Sequence, residues 1–327
     1  MTEIWALVGT VQQWTFEWVV GPFLFAIGEA IYLEEAFNAL ESVIVGLFAL
    51  IVIYLVVRPL EIWRPVERWA DQRAVRTDVI YTMINHLGVV PLALFILLDP
   101  LERQFHALLD DFGMVPWTLD QTFPALQAWP VATMVIYVFV FDFFEYWRHR
   151  FQHRLTWWWS LHALHHSQTQ MTLWTDTRNH LLDDVIRHVW LVTVALLVGA
   201  PPASYLLVVV LIMAVESLSH ANVRLSFGSI GDRLVVSPLF HRVHHAVEQS
   251  GARWGCNFAV LFPVWDILFR TARYDRGYLP TGIMPDGEPD YGDGFWRQQV
   301  VGVVRLAKAL VGRAPPSPTA DAVRDAR

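Results

Sequence analysis

The sequence predicts an all-α integral membrane bundle of about four spans, topped by a histidine-rich helical cap on the cytoplasmic side. Three observations lead there. Long uncharged runs recur up to residue 215, histidines cluster at helical spacings close to those runs, and arginine is biased to one set of loops. Of 327 residues, 54% are hydrophobic, 14% aromatic and only 17% charged, more apolar than an ordinary soluble domain. The 16 Trp and a positive mean hydropathy suit a bilayer protein whose amphipathic rings sit at headgroup level.

Residues 1–327 read as one domain with its core at about 36–275. The opening stretch has Trp5, Trp14 and Trp18 and no Lys or Arg before its apolar residues, so it reads as an interfacial segment and not as a cleaved signal peptide. Residues 18–33 are apolar but flanked or interrupted by Glu17 and Glu29, which leaves their spanning open. Ser42–Val57 is uncharged for 16 residues and extends backwards through Ala36–Leu40 toward a full span. Val79–Leu98 gives 20 uncharged residues, and Phe123–Phe141 gives 19. Val189–Val215 gives 27, broken by Pro201-Pro202, and so reads as a tight helical hairpin or two short spans. The tail 313–327 has the composition of a disordered segment.

Loop charges orient the spans. Arg58, Arg64, Arg68, Arg73 and Arg76 lie in one linker, whereas the linker 99–122 holds Asp99, Glu102, Asp110, Asp111 and Asp120 against Arg103. Positive loops stay cytoplasmic, so the first linker is inside and the second outside. If the proline-broken run enters and leaves on one side, all histidine clusters face the cytoplasm.

The stretch Asp142–Ser167 is too charged to span and predicts amphipathic helices. It holds His149 and His153, four apart, then His162, His165 and His166. The H-x-x-H-H spacing returns at His241, His244 and His245. Residues i, i+3 and i+4 share a helical face, so each cluster aims several imidazoles at one point. Imidazole is the commonest transition-metal ligand, and eight such nitrogens exceed the shell of one ion, which points to two. A low-complexity metal-sequestering tract is the alternative, but these clusters sit among Trp, Phe, Leu and Arg. Asp142 and Glu145 precede His149 on the same helical face and are assigned as carboxylates that orient the ligands. His86 lies about 10 Å into the predicted second long span, where it lines a passage or makes a helix contact. His106 falls on the opposite side of the membrane from the clusters, and His188 reads as structural. Trp157, Trp158 and Trp159 read as interface residues that anchor the cap, wall the entrance or simply form part of the aromatic belt.

Several classes are excluded. A net charge of −7 without a basic stripe argues against nucleic acid as partner. The single Cys256 excludes an intrachain disulfide and a four-thiolate cluster. H-E-x-x-H, G-x-S-x-G, G-x-G-x-x-G and the E-x-x-H pairs of soluble di-iron bundles are absent. A membrane metal transporter or sensor stays as the alternative from another class, though it would want ionisable residues along the spans and these clusters lie beyond the span ends. A membrane zinc hydrolase, with a carboxylate base beside an open metal, is a third reading.

The motifs D-F-x-x-Y-W-x-H-R-x-x-H, W-x-x-H-x-x-H-H-S and H-R-V-H-H, over about residues 130–271, resemble the fatty acid hydroxylase/sterol desaturase superfamily of membrane non-haem di-iron enzymes. The resemblance implies two iron ions on these histidines, O2 as co-substrate and attack on a C–H bond of a lipid. The expected outcome is hydroxylation of a fatty acyl, alkyl or sterol-like chain held in a dry apolar channel; desaturation or methyl oxidation in the same family is the alternative. It also implies His220 as a further ligand, and His180, in R-x-H-L-x-D where the family has R-x-H-P-x-E, as another. Asn257, Trp265, Asp266 and Thr271 match a later family segment, while Ala259 and Arg270 replace its two glycines. No cytochrome b5-type H-P-G-G motif is present, so the electrons come from a separate donor protein.

Overall fold

The computed structural model describes residues 2–86, 104, 107–109, 111–113, 118–200, 202–247, 255–283 and 290–312. Among them the chain is helical throughout, and pairing of β type is confined to one isolated bridge between Ala246 and Thr281. Most of the expected run Val79–Leu98, together with His106, Asp110 and the tail 313–327, lies outside the described residues.

Helix α1 (Thr2–Thr15) leads through a π turn into α2 (Gly21–Ile27), and residues 16–33 do not form one continuous span. Helix α3 (Leu33–Trp63) incorporates the run at 42–57. Glu34 and Glu35 in its first turn complement the helix dipole. Leu50, Ile53 and Val57 are buried, the last two against Leu173, Ala221 and Val223, whereas Phe48, Ile51, Val52, Leu55 and Val56 face outward. A soluble core helix would bury such residues. Helix α4 (Gln72–His86) follows, then one turn, α5 (Leu119–Thr122).

Helix α6 (Pro130–Arg154) starts with Pro130 in its first turn and changes character along its length. Val131, Val135, Ile136 and Phe139 are exposed, while Asp142, Glu145, Arg148, His149, Gln152 and His153 are buried. Leu155, in extended conformation, breaks the chain for one residue and turns it into α7 (Thr156–His166). Helix α8 (Leu181–Val198) ends at left-handed Gly199, as the proline-broken run predicts, and α9 (Pro202–His220) carries the chain back to His220. Short helices α10 (Gly228–Leu234), α11 (Pro238–His244) and α12 (Val264–Leu268) follow, and α13 (Phe295–Leu310) packs over α7.

Two helical stretches, Ala30–Trp63 and Pro130–Arg154, are long and apolar enough to cross a membrane. Taken with the outward apolar residues on both, the chain reads as a membrane protein.

Buried carboxylates fix the loops between these helices. Glu61 accepts from Leu173 N–H and Asn222 N–H at 2.8 and 2.9 Å. Asp78 accepts from Gln168, Thr175 and Arg178. Asp266 accepts from Phe258 N–H, Ala259 N–H and the Thr271 hydroxyl. Each satisfies donors that would otherwise be buried unpaired.

Candidate metal centre

Nine histidines converge, in two groups. His149, His153, His162, His166 and His244 form one, and His165, His220, His241 and His245 the other; within each, one nitrogen per ring lies within 4.8 Å of all the rest. All nine are buried.

Helical geometry sorts them. His149 and His153 are an i, i+4 pair on α6, and both join the five-member group. On α7 the i, i+4 pair His162 and His166 does the same, while His165 turns to the other group. On α11 the sense reverses: the pair His241 and His245 serves the four-member group and His244 crosses to the five. The repeated H-x-x-H-H motif thus contributes two rings to one site and one to the other each time. His220, the last residue of α9, completes the second group.

The proton inventory of the rings makes the case for a cation. His149 Nδ1 donates to Phe258 O at 2.9 Å, His244 Nδ1 to Cys256 O at 2.7 Å and His220 Nδ1 to Glu216 O at 2.7 Å. In the neutral ring each of these leaves Nε2 as a bare lone pair. The Nε2 of His220 is approached by the Nε2 atoms of His165 and His241 at 3.0 and 2.9 Å, His241 by His245 at 3.1 Å, and His166 lies 3.1 Å from His244. One lone pair cannot accept two protons, and the Nε2 atoms of His149 and His162 have no protein partner at all. Such convergence is costly without an ion and ordinary with one. With metal–nitrogen bonds of about 2.1 Å, ligands at about 90° stand about 3.0 Å apart, against about 3.4 Å at the tetrahedral angle. The closest nitrogen pairs, at 2.9–3.1 Å, are thus compatible with two imidazoles sharing one ion.

Electrostatics favour the ligating form. Burial, and after it the neighbouring imidazoles, holds His165, His166, His241 and His245 well below the usual histidine range, and His244 is lowered to about 3. His162 is lowered by burial less strongly, because Asp183 opposes it. Asp183 is the carboxylate the sequence reading missed. Its Oδ2 lies 3.4 Å from His162 Nδ1, and it accepts Gln152 Nε2 at 2.8 and 3.0 Å and Trp158 Nε1 at 2.7 Å. Burial alone would raise its carboxyl, but His162 and Arg148 outweigh that and hold it low.

The orienting role assigned to Asp142 and Glu145 is corrected. Asp142 accepts from Leu261 N–H, Phe262 N–H and Trp265 Nε1, and Glu145 from Arg148 and Arg187. They share the helical face of His149, but their carboxylates meet stronger donors first. His180 stands outside both groups: its Nε2 donates to Gln299 O at 2.8 Å and its Nδ1 accepts Leu182 N–H as the cap of α8. His86 and His188 also stand apart. Trp158 and Trp159 are buried in the cap, and Trp159 packs 5.0 and 5.4 Å from the rings of His153 and His166, so both belong to the wall of the site.

A small cavity of about 40 Å³ opens onto His162, His165, His220 and His241. It is polar, lined by Asp176, Asp184, Arg187 and Glu216, with Val260 as the apolar contact. At that size it holds a few waters or other small polar species rather than an acyl chain. The expected apolar channel is not seen at this mouth among the described residues.

Residues 134–271 match the fatty acid hydroxylase family. The match identifies a fatty acid hydroxylase domain within the chain, over these residues. All nine converging histidines fall inside the matched segment, as does Asp183. The chain is 29% identical over 146 residues to an ornithine lipid hydroxylase of Rhizobium tropici, covering 44% of the chain and 43% of the relative. It is 28% identical over 133 residues to the alkylglycerol monooxygenase of Danio rerio, covering 40% and 28%, and 26% identical over 147 residues to that of Caenorhabditis elegans, covering 44% and 28%. The chain therefore spans less than half the length of these curated relatives. No solved structure matches it.

Proposed function

We propose that this chain is an O2-dependent membrane di-iron oxygenase that hydroxylates a C–H bond of a fatty acyl, alkyl or sterol-like lipid. The observation that carries this reading is the pair of buried imidazole groups, five and four rings, lying beyond the apolar part of α6. Both relatives' names specify lipid substrates, an ornithine lipid and an alkylglycerol, which supports the same class here.

Two iron ions held by the nine imidazoles would supply O2 activation and the oxidising power for the C–H bond. The protein's own residues hold the rings. Carbonyls of Phe258, Cys256 and Glu216 fix the tautomers of His149, His244 and His220, and Asp183 faces His162. Hydroxylation places one oxygen atom in the lipid and releases the other as water, which takes two electrons and two protons. The protons enter by the polar mouth, where burial raises Asp184 to about 8 and Asp176 to about 7, within reach of exchange at neutral pH. The electrons come from a separate donor protein. About four spans, with the cap in the cytoplasm, complete the arrangement.

The test is to grow cells producing the chain, or its His165→Ala variant, under 18O-labelled O2 and compare lipid extracts. The reading expects a labelled hydroxyl in a lipid of the first culture and none in the second. Identical lipid profiles, together with turnover of a water-soluble substrate, would sink it.

A further inference from the structure

Helix α13 lies outside the family-matched segment and carries its polarity reversed. The side facing the protein holds Phe295, Gln298, Gln299, Gly302 and Arg305, all buried. The outward side shows Trp296 at 74% exposure, Val300 at 61%, Val303 at 48% and Leu310 at 68%. At about 100° per residue, positions 296, 300, 303, 307 and 310 fall on one stripe. A helix on a water-facing surface shows the opposite pattern.

We infer that α13 is an interfacial helix whose outward apolar stripe is seated in the surface of the lipid bilayer. Its position is the first argument. Gln299 Oε1 accepts Leu181 N–H at 2.9 Å, its carbonyl accepts His180 Nε2, and its Nε2 donates to the Tyr81 hydroxyl at 3.0 Å. Leu181 is the first residue of α8, which goes on into the apolar stretch ending at Val198, and Tyr81 lies on α4. Ile80, Leu182 and Val189 on those two helices are also exposed. The helix is thus pinned to α4 and α8, which themselves expose apolar residues. Composition is the second argument. A Trp at one end, Val and Leu along the face, and Arg297 and Lys308 toward one edge suit acyl chains below and headgroup phosphates beside. Attachment is close: a Cβ added at Gly302 would meet His180 Cδ2 at 2.3 Å, so α13 holds its height relative to the histidine cap. The inference depends on the chain being a membrane protein and not on the reaction proposed for it.

The experiment uses the full chain in lipid nanodiscs with an environment-sensitive fluorophore on Val300→Cys, and separately on Val303→Cys in case one site disturbs folding. Native Cys256 is buried, so labelling is directed to the new thiol. Seated in the bilayer, the probe is quenched several-fold by doxyl-labelled phosphatidylcholine and largely shielded from aqueous iodide. Iodide access equal to that of the free probe–cysteine adduct overturns the inference. So does shielding from both quenchers with disulfide cross-linking between copies, which would make the stripe a contact between two chains.

Discussion

At the scale of single residues, what each imidazole does is decided by the partner of its second nitrogen. Asp183 meets His162 while tying Gln152 and Trp158 to the same carboxylate, so Asp183→Asn should fold and yet bind metal about 10–100-fold more weakly, as loss of an orienting partner does. Competition with a metal chelator measures it, and unchanged affinity would remove Asp183 from the site. His180→Ala should behave in the opposite way. It loses one buried and one part-buried hydrogen bond, at a cost of roughly 1–3 kcal/mol in thermal or denaturant unfolding, and keeps full metal content. Arg270 is a third case. It occupies a family glycine position with φ of 58°, and it is exposed, so Arg270→Gly should raise stability by up to about 1 kcal/mol. The convergence of the eight clustered histidines was legible from spacing, because residues at i, i+3 and i+4 share a helical face, and that of His220 from the resemblance. Asp183 was not, since it meets His162 from 21 positions further along the chain, with no periodic signal to link them. Asp142 misled for the complementary reason: helical phase gives the face of a carboxylate but not which backbone donors reach it from residues 261 and 262.

Among the elements, α6, α7, α9 and α11 act as a jig. Helical phase explains why the i, i+4 pairs stay together and the odd member of each H-x-x-H-H crosses over, a division the linear sequence could not assign without the relative placement of α7 and α11. The loop after α11 is held to α6 by Asp142, whose three donors would be left buried and unpaired in Asp142→Leu. At roughly 1–3 kcal/mol each, that variant should lose fold and metal together, which distinguishes it from Asp183→Asn. The cap should also be acid-labile when metal-free. Unfolded, each imidazole titrates near about 6.5; folded, burial holds His165, His166, His241, His244 and His245 below that. Between those values the unfolded chain binds more protons. Stability is therefore whole above about pH 6.5 and falls as pH drops through it, by about 1.4 kcal/mol per pH unit for each histidine engaged. Chemical denaturation between neutral and mildly acidic pH reads this slope, and a flat profile would mean the rings are solvated.

For the whole molecule, the outward apolar residues of α3, α6 and α13 and the buried polar cap describe one object, with an apolar outer surface and a chamber of buried imidazoles that could hold metal. The spans were legible where an uncharged run stayed in one helix, as in α3, and in part in α6, which takes up the run 123–141 only from Pro130. The break at Gly199 was legible too, from Pro201-Pro202, whereas the turns between 16 and 33 were not. The account stands on the claim that five and four imidazoles make two metal sites in one chamber. Metal content of protein loaded with ferrous iron under anaerobic conditions, for the native chain and for His149→Ala and His241→Ala, tests it most directly. Two ions per chain in the native protein, with a clear loss in each variant, is the predicted result. One ion per chain, or full content in both variants, would contradict it.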